Sequence, residues 1–513
     1  MQDAGEATSQ EKNEIERTVW SGPDDPRRPR FWSLTRKWTA TLVLSAIAFL
    51  QPLAETALAP VEGQISRDLR IEETYEWMLV NSLILVGMGI SSMLLAPLSE
   101  VYGRKPILLA GSISFTVWNT GCGSVSTLTQ MFALRVLSGF GASVGDSITG
   151  GVLSDLWKVE ARGRAYAVCM AAPLLGTAIG PICGAFISEG ANWRWVFWMT
   201  SIASAVAIFI AIVFLHETYE PMCEKSLRQK KESKSRFAES SSKTPGDMET
   251  FAEIMRLNLQ RPFRMLGTQI IVQLLAIYMA ILYGIMWLFL FMYPRMWTDQ
   301  YQQSIRIASL NYISFGFGLV AGVNVAGHCT DRVYEYLKAR SQGTGRPEFR
   351  VPTMVIGTIL APVGLLWWGW SGEAKLHWII PNIGSFIFAM GIYVCSTCVS
   401  VYTIDTYTQY AASAISTNLV LRSITAAFFP LFAPYMFDSL GFGYSGTVLG
   451  VGFGVFGLSV MSVLWFYGET LRSRSPYCAA GNDDQEMWKA ERGSEIWTFE
   501  SQASRLHCPH TNG

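Results

Sequence analysis

The chain is poor in charge: only 16% of its 513 residues are Asp, Glu, Lys or Arg, against about 25% in ordinary soluble proteins, while 50% are apolar. So little charge cannot keep several water-exposed domains in solution, and the chain needs a lipid solvent. It also lacks an excess of one sign. Forty basic residues are balanced by forty acidic ones, so no net field points to nucleic acid or to an acidic partner. A secreted disulfide framework is missing too. The nine cysteines are scattered, and Cys122, Cys169, Cys183, Cys395 and Cys398 sit inside apolar stretches, where they read as reduced packing residues.

Enzyme signatures are wanting. Gly139-Phe-Gly-Ala-Ser-Val-Gly145 lacks the dinucleotide spacing, there is no phosphate-binding Walker loop, and Cys395 and Cys398 have no second ligand pair nearby. His507 and His510 lie in a polar tail. We therefore expect no enzyme, no cofactor and no metal. Residues 1–37 are polar, with no short apolar core before a small-residue cleavage site, so the first span is expected to insert as its own signal.

What the chain has instead is apolar runs long enough to cross ~30 Å of hydrocarbon at ~1.5 Å per residue. They fall near 38–59, 77–98, 106–126, 130–153, 165–187, 194–215, 265–292, 309–329, 352–370, 377–402, 415–438 and 445–468. This predicts an all-α integral membrane protein with twelve transmembrane helices. The longest polar interruption, 219–264, divides them into two six-helix bundles, 38–218 and 265–468, with tails at 1–37 and 469–513. It reads as a linker whose end, 251–263, forms a short amphipathic helix on the membrane surface.

Basic residues set the orientation. Arg27, Arg28, Arg30, Arg36, Lys37, Arg104, Lys105, Lys158, Arg162, Arg164, the linker cluster, Arg332, Lys338, Arg340, Arg346 and Arg350 fall on one side. The other side keeps Arg67, Arg70, Arg194, Arg295, Arg306 and Lys375. The positive-inside rule then places both termini in the cytosol.

Several charges stand out because hydrocarbon makes them costly. Arg135 lies early in the fourth run. Asp146 follows eleven residues later, which on a continuous helix is an offset of about 20° and roughly 16 Å of axis, one polar face. Glu55, one turn after Gln51, is the other intramembrane carboxylate, and a Glu55–Arg135 pair would make a proton-coupling site whose proton affinity depends on the cation and on water. Snorkelling and helix packing remain the alternative reading of Arg135 and Asp146. After the second run, Gly103 permits a sharp turn that brings Glu100 near Arg104 and Lys105, either as a breakable latch or as an ordinary basic turn. Gly327-His-Cys-Thr-Asp331-Arg332 echoes it in the second half and suggests duplicated halves.

In the fifth run, Gly176, Gly180 and Gly184 recur at spacing four beside Pro181, a pattern for close packing or for a helix that gates by rocking. Asp405 and Arg422 in the second half read as anchors or as transport residues. Among the aromatics crowding the seventh and tenth runs, Tyr278, Tyr283, Trp287 and Tyr402 are candidates to line a pocket for a bulky apolar ligand, though most such side chains pack or face lipid.

Together these pieces resemble the major facilitator superfamily, and within it the fungal drug:proton antiporters with twelve spans, over about 25–476. The resemblance is carried by Pro97-Leu-Ser-Glu100-Val-Tyr-Gly103-Arg104-Lys105-Pro106, by Arg135 to Gly139, and by the Gly176 to Gly184 signature. Flanking pieces agree: Trp193-Arg-Trp-Val-Phe-Trp198, His216-Glu-Thr-Tyr219, Pro347-Glu-Phe-Arg350 and Gly468-Glu-Thr-Leu-Arg472. Ala96 and Val101 depart from the family pattern, where Gly and a basic residue are usual. The resemblance implies two pseudo-symmetric bundles in the major facilitator fold and alternating access. It also implies a latch at Glu100, Gly103 and Arg104, proton transfer assisted by Arg135, and outward transport signalled by the fifth-run glycines. The expected protein is a monomer in the plasma membrane that exports small hydrophobic organic molecules, such as a secondary metabolite, toxin or drug, against imported protons. A proton-coupled uptake permease of the same fold and a non-transporting receptor or scaffold stand as alternatives.

Overall fold

The computed structural model describes residues 25, 27–157, 159–220, 222–224, 260, 263–342, 345–407, 411–475 and 478. Most of the expected tails and linker, and nearly all of the expected surface helix 251–263, lie outside them. Among the described residues the structure is helical, without strands. The first half holds α1 (Leu34–Thr56), α2 (Glu62–Asp68), α3 (Thr74–Tyr102), α4 (Arg104–Cys122), α5 (Leu128–Ala142), α6 (Val144–Leu156), α7 (Val159–Gly190) and α8 (Arg194–Phe214). The second holds α9 (Ile270–Arg295), α10 (Ile305–Leu310), α11 (Tyr312–Arg340), α12 (Val351–Glu373), α13 (Ile379–Thr406), α14 (Ala411–Phe428) and α15 (Ala433–Ser473).

Helix boundaries follow local chemistry. The Ser33 hydroxyl accepts the Arg36 amide at the start of α1, and the Thr127 hydroxyl accepts the Gln130 amide at the start of α5. Between α3 and α4 stands Gly103 alone, at φ +98°, a backbone state that a side chain disfavours. Gly441, at φ +74°, divides α15 into two helices and supplies the turn between the expected eleventh and twelfth runs. Nine helical stretches among the described residues are long and apolar enough to cross a membrane. The last of them is divided at Gly441, and α4 and the α5–α6 pair add the rest of a twelve-pass arrangement.

Within the first half α1 packs on α7, and α5 lies between α3 and α4; in the second, α12 packs on α13 and α15, and α9 on α14. Across the halves α3 meets α14 and α7 meets α11. The outer faces carry exposed apolar side chains such as Phe209, Phe317, Val455 and Phe466, the surface a bilayer would cover.

The two ends of the bundle differ. Gly103 and Arg350 mark the end that also carries the termini, and Glu62 and Arg295 mark the distal end. Distally, Arg295 pairs with Glu62 at 3.5 Å and Arg306 pairs with Glu189, both across the halves. At the terminal end, the ion pairs among the described residues stay within one half. The halves are thus tied together distally.

Candidate functional site

The charged side chains nearest the middle of the passes converge from both halves. Asp146 on α6 and Arg422 on α14 approach to 3.7 Å, and both side chains keep partial solvent exposure, 28% and 23%. The Arg422 guanidinium lies 4.4 Å from the centre of the Tyr283 ring, and the Tyr283 hydroxyl meets the Ser396 hydroxyl at 3.2 Å. Tyr166 and Tyr393 lie within electrostatic reach of the same pair, and Tyr166 is half exposed. Glu55 on α1 is buried, accepts a hydrogen bond from Gln51 Nε2 at 3.1 Å, and lies within electrostatic reach of Asp146, Arg135 and Arg422. Gaining or losing one proton on either carboxylate changes the attraction across the boundary between the halves. That is the chemistry a coupling site requires.

Arg135 is built differently. Fully buried, it donates Nε to the Val80 carbonyl at 2.8 Å and Nη2 to the Asn81 carbonyl at 3.1 Å, while Nη1 has no partner among the described residues. The expected Glu55–Arg135 ion pair is therefore not formed, because α3 supplies backbone acceptors that take the guanidinium first. Nor do Arg135 and Asp146 share partners along one face: Arg135 turns to α3 and Asp146 to α14. The helix loosens at Ser143, where ψ is −6° and the Ser143 amide reaches the Gly139 carbonyl at 3.4 Å, while the Ser147 amide keeps its bond to the Ser143 carbonyl at 3.0 Å.

At the terminal end the expected latch is larger than the loop that announced it. Arg104 contacts Glu100 only at 3.8 Å, but reaches Asp155 Oδ2 at 3.3 Å and the Ser99 hydroxyl at 2.6 Å. Gly151 makes the room, since a Cβ there would stand 2.6 Å from the Arg104 Cζ. The Glu217 carboxylate accepts the backbone amides of Arg104 and Lys105 at 2.9 and 3.1 Å, capping α4 just after Gly103, while Lys105 Nζ donates to the Ile212 carbonyl. Beyond the sixth pass, Tyr219 sets its ring 5.2 Å from Arg104; burial raises its hydroxyl pKa, Glu100 adds to the rise and Arg104 opposes it.

The second half repeats the arrangement with different residues from those expected. Asp331 pairs with Arg350 at 2.9 Å rather than with its neighbour Arg332, and Arg350 also reaches Asp405 at 3.1 Å. Glu348 holds Arg472 through two bonds of 2.8 Å, and Glu469 meets Arg346 at 2.6 Å. The groups Glu100, Arg104, Asp155 and Asp331, Arg350, Asp405 thus form matching acid–Arg–acid sets in the two halves. Asp155, Glu217, Glu348 and Arg350 were missed as site residues. The signal was present in the flanking pieces, where Glu217-Thr and Glu469-Thr follow the sixth and twelfth runs.

The glycine stripe of α7 faces α1. Gly176 lies against the Phe49 carbonyl, Gly180 against that of Leu53, and Gly184 against that of Ala57, a four-residue step on both helices. Of the aromatic candidates, Tyr283 joins the central cluster and Trp287 is buried beside Phe291. Tyr278 and Tyr402 do not line the central cluster. Tyr278 bonds Thr358 at 2.8 Å and packs on Phe453 between α9, α12 and α15, and Tyr402 is enclosed in the second half. Composition alone could not separate core from cavity.

Comparison with known proteins agrees with this fold. An uncharacterized transporter of Schizosaccharomyces pombe is 40% identical over 463 residues, covering 89% of this chain and 93% of its own. The efflux pump vrtL of Penicillium aethiopicum is 37% identical, with 90% and 91% covered. Among solved structures, the xylose transporter XylE from E. coli in a partially occluded inward open conformation superposes with a TM-score of 0.60 at 15% identity, covering 84% of this chain and 98% of its own. The human organic anion transporter MFSD10 gives 0.56 at 15%, covering 83% and 99%. The Major Facilitator Superfamily profile matches residues 44–430. With two helical halves meeting at an intramembrane charge cluster, and with these relatives over nearly its whole length, the chain is a multi-pass transporter that belongs to the major facilitator superfamily.

Proposed function

We propose that this transporter is a proton-coupled exporter of small hydrophobic organic compounds, a secondary metabolite, toxin or drug among them, working by alternating access in the plasma membrane with both termini in the cytosol. The observation that carries the reading is the Asp146–Arg422 contact between the halves, with Glu55 beside it. A carboxylate that loses its charge releases its hold on the opposing half, so proton binding is tied to the movement that exposes the cavity to the other side. The distal pairs Glu62–Arg295 and Glu189–Arg306 hold the halves together on the face assigned to the exterior, and the matched Arg104 and Arg350 sets act within each half as latches that break and reform. Arg135 serves by fixing α5 to α3 beside the cluster. The Gly176, Gly180, Gly184 stripe and Pro181 give α7 a close track on α1 along which it rocks. Relatives that carry the name efflux pump support the outward direction.

The test uses inside-out membrane vesicles containing the full chain, with an acidic lumen and a panel of neutral, acidic and basic aromatic compounds. Compound accumulation in the lumen, abolished by a protonophore, supports export by proton antiport. Depletion from preloaded vesicles would instead favour an uptake permease.

A further inference from the structure

Arg422 differs from the other well-placed arginines of this protein in what its donors do. Arg104 is held by Asp155 and Ser99, Arg350 by Asp331 and Asp405, Arg472 by two oxygens of Glu348, and Arg135 by two backbone carbonyls. The Arg422 guanidinium has no hydrogen bond among the described residues. Its contact with Asp146, at 3.7 Å, is longer than a hydrogen bond, and its side chain remains 23% exposed. Five planar N–H donors are therefore held within the membrane passes, uncommitted and within reach of solvent. The Tyr283 ring, 4.4 Å away, helps to fix the plane of the guanidinium.

The surroundings limit what can bind there. The groups facing Arg422 from the packed elements are Asp146 on α6, Tyr283 on α9, Tyr393 on α13 and Glu55 on α1, with Tyr166 on α7 reaching the same cluster. Arg135, the other cation near Glu55, has two of its donors engaged by α3 carbonyls and keeps its charge for Glu55. With Asp146 protonated and Glu55 facing Arg135, Arg422 offers one unmatched positive charge, which a ligand with one negative charge meets; a dianion would leave an uncompensated charge away from water. Tyrosine rings on three helices supply flat apolar surface with polar rims.

We infer that Arg422 is the anion-recognition residue of the cavity and that the compounds carried are aromatic organic acids bearing one negative charge. The acid docks its oxygens on the Arg422 fork and displaces Asp146, which the ligand must outcompete unless a proton has already neutralised that carboxylate. This inference rests on the exporter reading for the direction of movement only; equilibrium binding depends on neither direction nor coupling.

The experiment is equilibrium binding to the full chain in nanodiscs, followed by intrinsic tryptophan fluorescence, with matched probes: 2-naphthoate and 2-naphthamide, and 2-anthroate and its carboxamide. The acids are expected to bind about tenfold tighter than the amides, the margin a charge-assisted bidentate contact supplies. Arg422→Gln should erase that preference, and Arg422→Lys should restore part of it. Asp146→Asn removes the competitor and should tighten acid binding several-fold, a gain that misfolding cannot produce. Equal affinity for acids and amides, binding of neither, a preference that survives in Arg422→Gln, or weaker acid binding in Asp146→Asn would each overturn the inference. Failure of the vesicle assay with this binding pattern intact would count against the exporter reading alone.

Discussion

Asp146 and Arg422 meet at 3.7 Å across the boundary between the two halves, one from α6 and one from α14, with both side chains partly open to solvent. A contact of this length between partly wet groups holds weakly and is easily exchanged. Its consequence should be functional more than structural. Asp146→Asn is expected to leave the purified protein's melting temperature within a few degrees of the wild type while flux loses most of its dependence on the pH gradient; transport rates at two imposed gradients check this.

Within the terminal-end latch the partners are unequal. Arg104 reaches Asp155 at 3.3 Å, whereas Glu100 stands at 3.8 Å with 52% of its side chain exposed. An exposed pair of that kind contributes about 0–1 kcal/mol, so Glu100→Gln should alter transport little. Asp155→Asn should lower it several-fold more. Initial rates of the two variants at matched expression decide the order.

Close packing of α7 on α1 gives a stability prediction. A Cβ at Gly180 would come within 2.7 Å of the Leu53 carbonyl oxygen, while one at Gly150 would meet nothing within 4 Å. Gly180→Ala should therefore destabilise by about 1–3 kcal/mol, the usual cost of overpacking, and Gly150→Ala should be neutral. Thermal denaturation in the same detergent compares them.

The distal pairs predict where the halves can be locked. Glu62 and Arg295 stand 3.5 Å apart across the boundary. Cysteines at both positions should be joined by a short bifunctional thiol reagent, and the joined protein should lose flux; reducing a cleavable linker should restore it. Flux unaffected by complete cross-linking would show that these elements do not separate during transport.

Much of the fold was legible because hydrocarbon imposes a crude rule on sequence. The expected run 194–215 became Arg194–Phe214, and Gly103 gave the break between α3 and α4. The loosening at Ser143 was not legible, since small residues are tolerated on either side of it. The site was legible only in part. Burial cost singled out Arg135, Glu55 and Asp146, but the acceptors of Arg135 are backbone carbonyls of Val80 and Asn81, which leave no side-chain trace. From sequence alone Arg422 reads as an anchor or as a transport residue, because its relation to Asp146 exists only once α14 packs on α3. Likewise Tyr278 and Tyr283, five residues apart on one helix, differ in kind: the first packs against Phe453, the second stacks under Arg422.

The most direct test of the account is transport by inside-out vesicles carrying the wild type or Asp146→Asn, loaded at acidic luminal pH and offered 2-naphthoate from outside. The account predicts luminal accumulation by the wild type that collapses with a protonophore, and uptake by Asp146→Asn that no longer responds to the gradient. Accumulation equally dependent on the gradient in both proteins, or no accumulation by the wild type, would contradict it.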